Sequence, residues 1–382
     1  MIITTCAACA APLPRLAKQC SRCKTRYCGS ACQAQHWNEG GHDVLCKKIK
    51  KCGGAEQHYA NEKYTEAVAV AAEACTEDTK GQTCYICTQA LHWKTNKGLV
   101  RRCACRGTSG FAHVSCLAEQ AKILVAEAEE NNLGDKVLNE RWARWDSCGI
   151  CKQQHHGVVA CALGWACWST YVGRPERDWT RRLAMTQLGN GLWEAKRSAD
   201  ALSVYEAELS MLRRLGGSEN AIITVQSNLA NAYKRLGRSE QALRLRREVY
   251  SGRLRLDGEE SMSTLKAANN YAASFLVLGC YEEVSTLLKK QIPVVRRVVG
   301  ESDILTLNMR LCYARALYGD NRATLIDIRE AVTTLEETER IARRVLGSAH
   351  PVAAGIEGSL RLALRMLSAR GRLEVCLKDL PL

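Results

Sequence analysis

Residues 228–243 read NLANAYKRLGRSEQAL, and residues 269–288 read NNYAASFLVLGCYEEVSTLL. A shift of 42 relates them: Leu236 matches Leu278, Gly237 matches Gly279, Glu240 matches Glu282, and Leu245 matches Leu287. In the first stretch Leu229, Ala232, Tyr233 and Leu236 fall at i, i+3, i+4 and i+7, the spacing that lines one face of an α-helix. Gly237 supplies a stop, and Ala242, Leu245 and Val249 mark a second helix. The period runs on: Gly216, Gly258 and Gly300 are 42 apart, as are Leu265 and Leu307, and Tyr271 and Tyr313. The next interval, Gly300 to Gly347, is 47 and holds an insertion. One helix pair cannot bury its own apolar face, so such units must stack on their neighbours.

The pattern resembles the tetratricopeptide repeat in its 42-residue, kinesin-light-chain-like form. The two stretches above carry the likeness, with RVLGSAHPV at 344–352. It covers about half the chain, residues 180–370, within an expected solenoid of residues 157–382. The resemblance implies a concave groove that grips a partner peptide or helix. The first helices of the repeats would line it and bring Asn228, Asn231, Lys234 and Asn270 forward. The plainer reading makes these four ordinary solvated side chains.

Upstream the composition changes. Of 382 residues, 46% are hydrophobic and 25% charged, enough for a core and for several domains. Cysteine is the anomaly: 21 in all, of which 16 precede residue 152. Met1 to Ala11 lacks the basic-then-apolar layout of a signal peptide. The longest apolar run, Val158 to Trp168, is about half of what crosses a bilayer. These features point away from secretion and membranes, towards the cytoplasm or nucleus. In such a reducing compartment dense cysteines hold metal rather than disulfides. The formal charge is +14. Fourteen thiolates and four zinc ions would lower it to about +8. Arginines also spread along the helical half, often beside glutamate, so nucleic acid is not the expected partner.

Residues 1–52 offer four ligand pairs: Cys6 and Cys9, Cys20 and Cys23, Cys28 and Cys32, and Cys46 with His42 or His36. Eight ligands suit two tetrahedral zinc ions, and a C-x2-C loop lets two sulfurs reach one ion. The pairs alone leave sequential and interleaved arrangements open. The run RYCGSACQAQHWNEGGHDVLC at 26–46 resembles a MYND zinc finger. That resemblance implies interleaving, with Cys6, Cys9, Cys28 and Cys32 on one zinc and Cys20, Cys23, His42 and Cys46 on the other. His36 would then be structural. It also implies docking of short peptides, with Gln33, Gln35 and Trp37 on the peptide-facing surface, although packing suits Trp37 as well. A segment this short has almost no apolar core, so the metal must serve as one.

Residues 83–156 carry eight more ligands: Cys84 and Cys87, Cys103 and Cys105, His113 and Cys116, Cys148 and Cys151. A PHD finger shares this order. The run CACRGTSGFAHVSCL at 103–117, with seven residues before His113, is more similar to a RING-CH finger. The resemblance implies cross-bracing: Cys84, Cys87, His113 and Cys116 on one zinc, Cys103, Cys105, Cys148 and Cys151 on the other. It also implies ubiquitin ligase activity, in which the finger holds a charged ubiquitin-conjugating enzyme in a reactive pose. Ile86 and Ile150 would contact that enzyme, and Lys152 would bridge to ubiquitin. Gln120 and Gly149 depart from the family's usual Trp and Pro, and 31 residues separate Cys116 from Cys148. The alternative is a non-enzymatic adaptor whose fingers only dock peptides.

Residues 53–82 read as a helical linker, with a short helical pair at 55–80, and Leu117 to Trp145 reads as one long helix-like stretch. The fold class is therefore mainly α: two small cross-braced zinc fingers followed by a TPR-like α-solenoid. No P-loop is present and no β-rich SET segment flanks the MYND-like finger. Cys52, Cys75, Cys161, Cys167, Cys280, Cys312 and Cys376 lack paired spacing and read as small buried hydrophobes. His155 and His156 read as a solvated loop. Trp165, Trp168, Trp179 and Trp193 read as a seal between finger and helices.

Overall fold

The computed structural model describes residues 6–378 apart from residues 12 and 15, with side chains as far as residue 371. Cys376 therefore lies beyond the described side chains. The chain forms two compact units, residues 1–217 and 218–382.

The first unit opens with two strands, β1 (Lys18–Gln19) and β2 (Arg26–Tyr27), paired antiparallel. Helices α1 (Ser30–Asn38) and α2 (His42–Lys51) follow. A small cluster of Cys20, Cys23, Tyr27, Cys46 and Ile49 fills this finger. Next comes α3 (Ala55–Ala74), a single helix where the sequence suggests a pair. Its run of alanines carries no breaker before Cys75. Nor is it a loose linker, because Ala60, Val68 and Ala71 are buried.

A second hairpin, β3 (Val100–Arg101) with β4 (Phe111–Ala112), leads into α4 (Val114–Glu130) and α5 (Asp135–Trp142). The expected single helix over 117–145 is thus broken. Asn132 takes a left-handed φ of 49°, and the Leu133 amide turns back to the Ala128 carbonyl at 3.0 Å. A short 3-10 turn, Ala143–Trp145, brings Trp145 into full burial.

Helix α6 (Gly157–Tyr171) is buried on nearly every side and packs between α3, α4 and α7 (Trp179–Glu194). Small residues allow the α6–α7 approach. A Cβ on Gly191 would lie 2.5 Å from the Ala160 carbonyl oxygen. Polar contacts tie the same layer. Gln57 donates to the Ser169 carbonyl at 2.8 Å, Arg174 forks onto Glu129 at 2.8 Å twice, and Arg181 pairs with Glu56 at 2.9 Å. Trp142 stacks on Trp179 and Tyr171, beside buried Trp145, Trp165 and Trp168. Trp165, Trp168 and Trp179 therefore take part in the expected seal, and the finger side supplies Trp142 and Trp145. Helix α8 (Ser198–Leu215) completes the unit.

The second unit contains α9 (Glu219–Arg235), α10 (Ser239–Asp257), α11 (Met262–Val277), α12 (Tyr281–Val299), α13 (Ile304–Gly319), α14 (Leu325–Leu346) and α15 (Pro351–Lys378). Each long helix follows its pair-mate through a short turn. Gly258 and Gly300 close α10 and α12 at φ 80° and 88°, conformations that cost other residues a steric penalty. Side-chain caps restart the chain: Ser261 for α11 and Asp303 for α13. The five-residue insertion resolves into three extra residues in α14 and two in the loop before it. Repeat-related positions share the core, since Leu265 and Leu307, and Ala272 and Ala314, are all fully buried. Leu236 departs from its apolar stripe and is 38% exposed at the end of α9.

Candidate metal centres

Four turns build the centres. In Cys6–Ala10, Cys20–Lys24, Cys84–Thr88 and Cys148–Lys152, a C-x2-C pair is followed by one residue in left-handed backbone. Its amide closes onto the carbonyl of the first cysteine: Ala10 to Cys6 at 3.0 Å, Lys24 to Cys20 at 2.9 Å, Thr88 to Cys84 at 2.8 Å, Lys152 to Cys148 at 3.0 Å. The reversal points both sulfurs to one side. Backbone amides inside the turn also donate to sulfur, as Ile86 does to Cys84 at 3.4 Å and Ile150 to Cys148 at 3.3 Å.

These turns and the helices after them gather sixteen side chains into four sets. The sets are Cys6, Cys9, Cys28 and Cys32; Cys20, Cys23, His42 and Cys46; Cys84, Cys87, His113 and Cys116; and Cys103, Cys105, Cys148 and Cys151. Within each set the donor atoms lie within 4.8 Å of one another. The arrangement is interleaved in both fingers. Sulfur pairs such as Cys9–Cys28 at 3.6 Å, Cys20–Cys46 at 3.8 Å and Cys105–Cys148 at 3.8 Å are too far apart for disulfides. They match the edge of a tetrahedron whose centre lies about 2.3 Å from each sulfur, an edge of about 3.8 Å.

The two histidines are held differently. His113 caps α4 and aims Nδ1 at Cys87 and Cys116, at 3.4 and 3.7 Å, while Nε2 faces the Ala90 carbonyl at 3.3 Å. Such an outer hydrogen bond fixes the ring and its tautomer. His42 opens α2 and places Nε2 3.3 Å from Cys23, fully buried. His36 lies outside every set; its Nδ1 meets the Tyr27 hydroxyl at 3.1 Å.

The thiols respond to this crowding. Burial opposes ionisation of Cys84, but hydrogen bonds from His113 and nearby amides more than offset it and bring its pKa down to about 6. Cys148 behaves alike, with the Cys151 and Ile150 amides as the main donors. Burial and the bonded sulfurs of Cys20 and Cys23 instead push Cys46 up to about 11. Burial and neighbouring thiolates push Cys116 up as well. Three or four thiols this close lose all their protons only when a cation balances them.

The other candidates fall into place around the sets. Ile86 is 37% and Ile150 60% exposed, at the tips of two of the turns. Gln120 accepts from the Tyr85 hydroxyl at 3.1 Å, and Gly149 lies under Arg144, whose Nη1 would sit 2.8 Å from an added Cβ. Trp37 is 40% exposed and leans on His42, with ring centres 5.7 Å apart. His155 corrects the solvated-loop reading. It is buried, with Nδ1 2.9 Å from the Arg102 carbonyl, while His156 is exposed beside Glu194. Cys75, Cys161 and Cys167 are buried as expected, but Cys52, Cys280 and Cys312 only partly. Sequence reading missed the loop 88–97. Leu91 and Trp93 there are 54% and 77% exposed, and His92 packs edge-on against His113 with ring centres 5.3 Å apart. Their only sequence signal is an apolar pair inside a polar loop.

Of the four side chains expected in the repeat groove, Asn228 and Asn270 line a cavity, Asn231 bonds to Arg246, and Lys234 is exposed.

Three family models match the chain: a MYND finger over residues 6–46, a RING-variant domain over 84–132, and a tetratricopeptide repeat over 180–254. No curated protein matches the sequence. Among solved structures, BtubC (BKLC) from P. vanneervenii is 15% identical, with a TM-score of 0.40, 70% of this chain and 94% of that one being covered. A putative kinesin light chain with nearly identical TPR-like repeats from Podosopora anserina is 17% identical, with a TM-score of 0.42 and coverages of 61% and 98%. The TPR2AB domain of yeast Sti1, in complex with pHSP90, is 12% identical, with a TM-score of 0.23 and coverages of 65% and 99%. The chain carries, in order, a MYND finger, a RING-variant finger and tetratricopeptide repeats, the make-up of a zinc-binding protein-interaction protein.

Proposed function

We propose that this protein is a RING-type ubiquitin ligase that selects substrates through its MYND finger and its repeats. The four sets would hold four zinc ions, with the sixteen side chains named above as ligands. The working layout is a MYND finger at 1–52, a helical segment at 53–82, a RING-CH-like finger at 83–156 and repeats at 157–382. All described cysteines are thiols, which suits a reducing compartment, the cytoplasm or nucleus. No helix is long and apolar enough to cross a membrane.

One observation carries the ligase reading. The RING-variant finger leaves Ile86, Leu91, Trp93 and Ile150 exposed while its own core is filled from elsewhere. Exposed apolar side chains on the turns and loop of a small finger are available to a contact surface. A conjugating enzyme docked there would be held with its thioester facing a substrate lysine, and the finger would need no catalytic side chain. Trp93, beside the third set, supports an aromatic contact where Gln120 has none to give. Lys152, directly after the last ligand, would face ubiquitin.

Gln120 and Gly149 favour the second reading, an adaptor. One is spent on Tyr85 and the other lies beneath Arg144. Self-ubiquitination with a broad panel of conjugating enzymes decides between them. Chains should form, and Ile86→Ala and Trp93→Ala should each slow them about tenfold, the loss of one interface anchor. If no conjugating enzyme in the panel supports chains, the ligase reading is lost and the adaptor stands.

A further inference from the structure

The four sets are not equally sheltered. Cys20, Cys23, His42 and Cys46 are all buried, and the Thr25 hydroxyl lies 3.1 Å from the Cys23 sulfur. In the other set of the same finger only Cys6 is buried; Cys28 and Cys32 are half-buried and Cys9 is exposed. Their sulfurs form a chain leading in from the surface, Cys9 to Cys28 at 3.6 Å and Cys28 to Cys32 at 3.4 Å. Four thiolates also leave more negative charge on a divalent ion than three thiolates and an imidazole. An exposed thiolate with a second sulfur in reach is the form of cysteine that oxidants attack. The nearest rival is the set with exposed Cys151. There the Ile150 and Cys151 amides both donate to the buried Cys148 sulfur, which blunts it as a nucleophile. Helix α1 depends on the open set. None of its nine side chains is buried, and Gly29 at its N-cap gives no side-chain hydrogen bond. A helix this short is marginal without tertiary support. Cys28 and Cys32 fix its start, and the His36–Tyr27 hydrogen bond and the Trp37–His42 contact fix its end. Helix α2 has its own anchor, since His42, Cys46 and Ile49 are buried.

We propose that Cys9 and Cys28 form a hydroperoxide-sensitive site whose oxidation frees α1 while the second set keeps α2 in place. The Cys9 thiolate attacks one peroxide oxygen, the O–O bond breaks, and hydroxide departs to leave a sulfenic acid on Cys9. The Cys28 thiolate attacks that sulfur, the S–S bond forms, and a second hydroxide departs. Two protons from solvent turn both hydroxides into water. The two sulfurs are oxidised, and the peroxide takes up their two electrons. A metal ion needs thiolates, so a disulfide leaves it only Cys6 and Cys32, and it departs. Gln33, Gln35 and Trp37 ride on α1, so the face that finger offers to partners is lost with it. The proposal rests on the reading of the sets as zinc sites and names how one of them is regulated.

Titration of hydrogen peroxide into the full-length, zinc-loaded chain tests it. Zinc is counted beforehand, its release is followed with a chromophoric chelator, and the cysteines are mapped by alkylation and mass spectrometry. One zinc ion per chain should leave first, together with the appearance of a Cys9–Cys28 disulfide. Hydrogen exchange at that point should show protection lost over residues 30–38 and kept over 42–51. A thiol reductant with added zinc should restore both. Cys9→His keeps a ligand but removes the exposed sulfur, and should slow release of the first ion about tenfold or more. The disulfide map of the parent decides the matter even where that variant holds its ion poorly. First release from the set of Cys103, Cys105, Cys148 and Cys151, or a first disulfide that omits Cys9, overturns the proposal. So does loss of protection in α1 and α2 together. A chain that holds no zinc before treatment sinks the metal reading itself, and the proposal with it.

Discussion

Seven described residues with side chains adopt left-handed backbone, and four of them, Ala10, Lys24, Thr88 and Lys152, do so at φ between 57° and 62°. Each such conformation costs roughly 1 kcal/mol or more. The only position common to them is the one directly after a C-x2-C pair. The strain is therefore a cost of aiming two sulfurs at one point, and metal offsets it. Replacing Lys24 or Thr88 by Gly should raise zinc affinity or leave it unchanged, as read by competition with a chromophoric chelator. A marked loss would mean that the side chain, and not the turn, serves the site. His36 and His42 differ by role. His42→Ala should remove one zinc ion per chain in native mass spectrometry, whereas His36→Ala should keep the full count and lose only its contact with Tyr27. Glu208 makes a pH prediction. It is fully buried and bonded to Thr186 through one oxygen, and burial raises its pKa to about 7. A carboxyl whose folded value lies above its unfolded value destabilises increasingly as pH rises from about 4.5 to about 7. Glu208→Gln should thus stabilise the zinc-loaded protein by about 3 kcal/mol above pH 7, with a gain that shrinks towards acid. A gain that is constant from about pH 5.5 to 8 in denaturant titrations would rule out charge burial as its source. At this scale the four C-x2-C turns were legible because that spacing is a geometric constraint written in the chain, whereas the interleaving of the pairs was implied by the resemblance alone. Trp93 and His155 were not, since their exposure is decided by residues far away, such as His113 and Arg102.

Among the elements, α3 and α6 differ most from a plain reading. Periodicity marks a helix by its one apolar face, but α6 is apolar all round and α3 builds its buried side largely from small alanines, seven of its twenty residues, so neither shows which neighbours cover it. The repeats were legible because every 42 residues the same packing problem recurs and selects similar residues. The break at residues 131–134 was passed over although Asn131, Asn132 and Gly134 are breaker residues, because helical pattern resumes directly on either side. Cys148 and Cys151 lie past the matched RING-variant segment, and α4, α5 and the 3-10 turn return them to Cys103 and Cys105. The α6–α7 contact yields a direct test. Gly191→Ala would thrust a methyl group into the Ala160 carbonyl and should cost about 1–3 kcal/mol. Thermal unfolding checks it, with Gly355→Ala, where an added Cβ meets nothing, as the neutral control. Equal melting of the two variants would mean that the helices separate freely.

For the molecule as a whole, two kinds of cohesion coexist. The fingers depend on shared ions, and the helices from α11 to α15 depend on an apolar interior running from Leu265 to Ala363. Zinc analysis should give four ions per chain. Chelation should melt the fingers and spare much of the helical signal, because that interior contains no ligand. Complete loss of the far-ultraviolet helical signal on chelation would contradict that separation. The burial of α6 also bears on how the protein can be dissected. A protein cut before Gly157 would leave a naked greasy rod, stripped of α3 and α4, at the head of the fragment, and such a piece would clump in solution. Scissors belong between Gly217 and Ser218, where the chain already parts into two bodies.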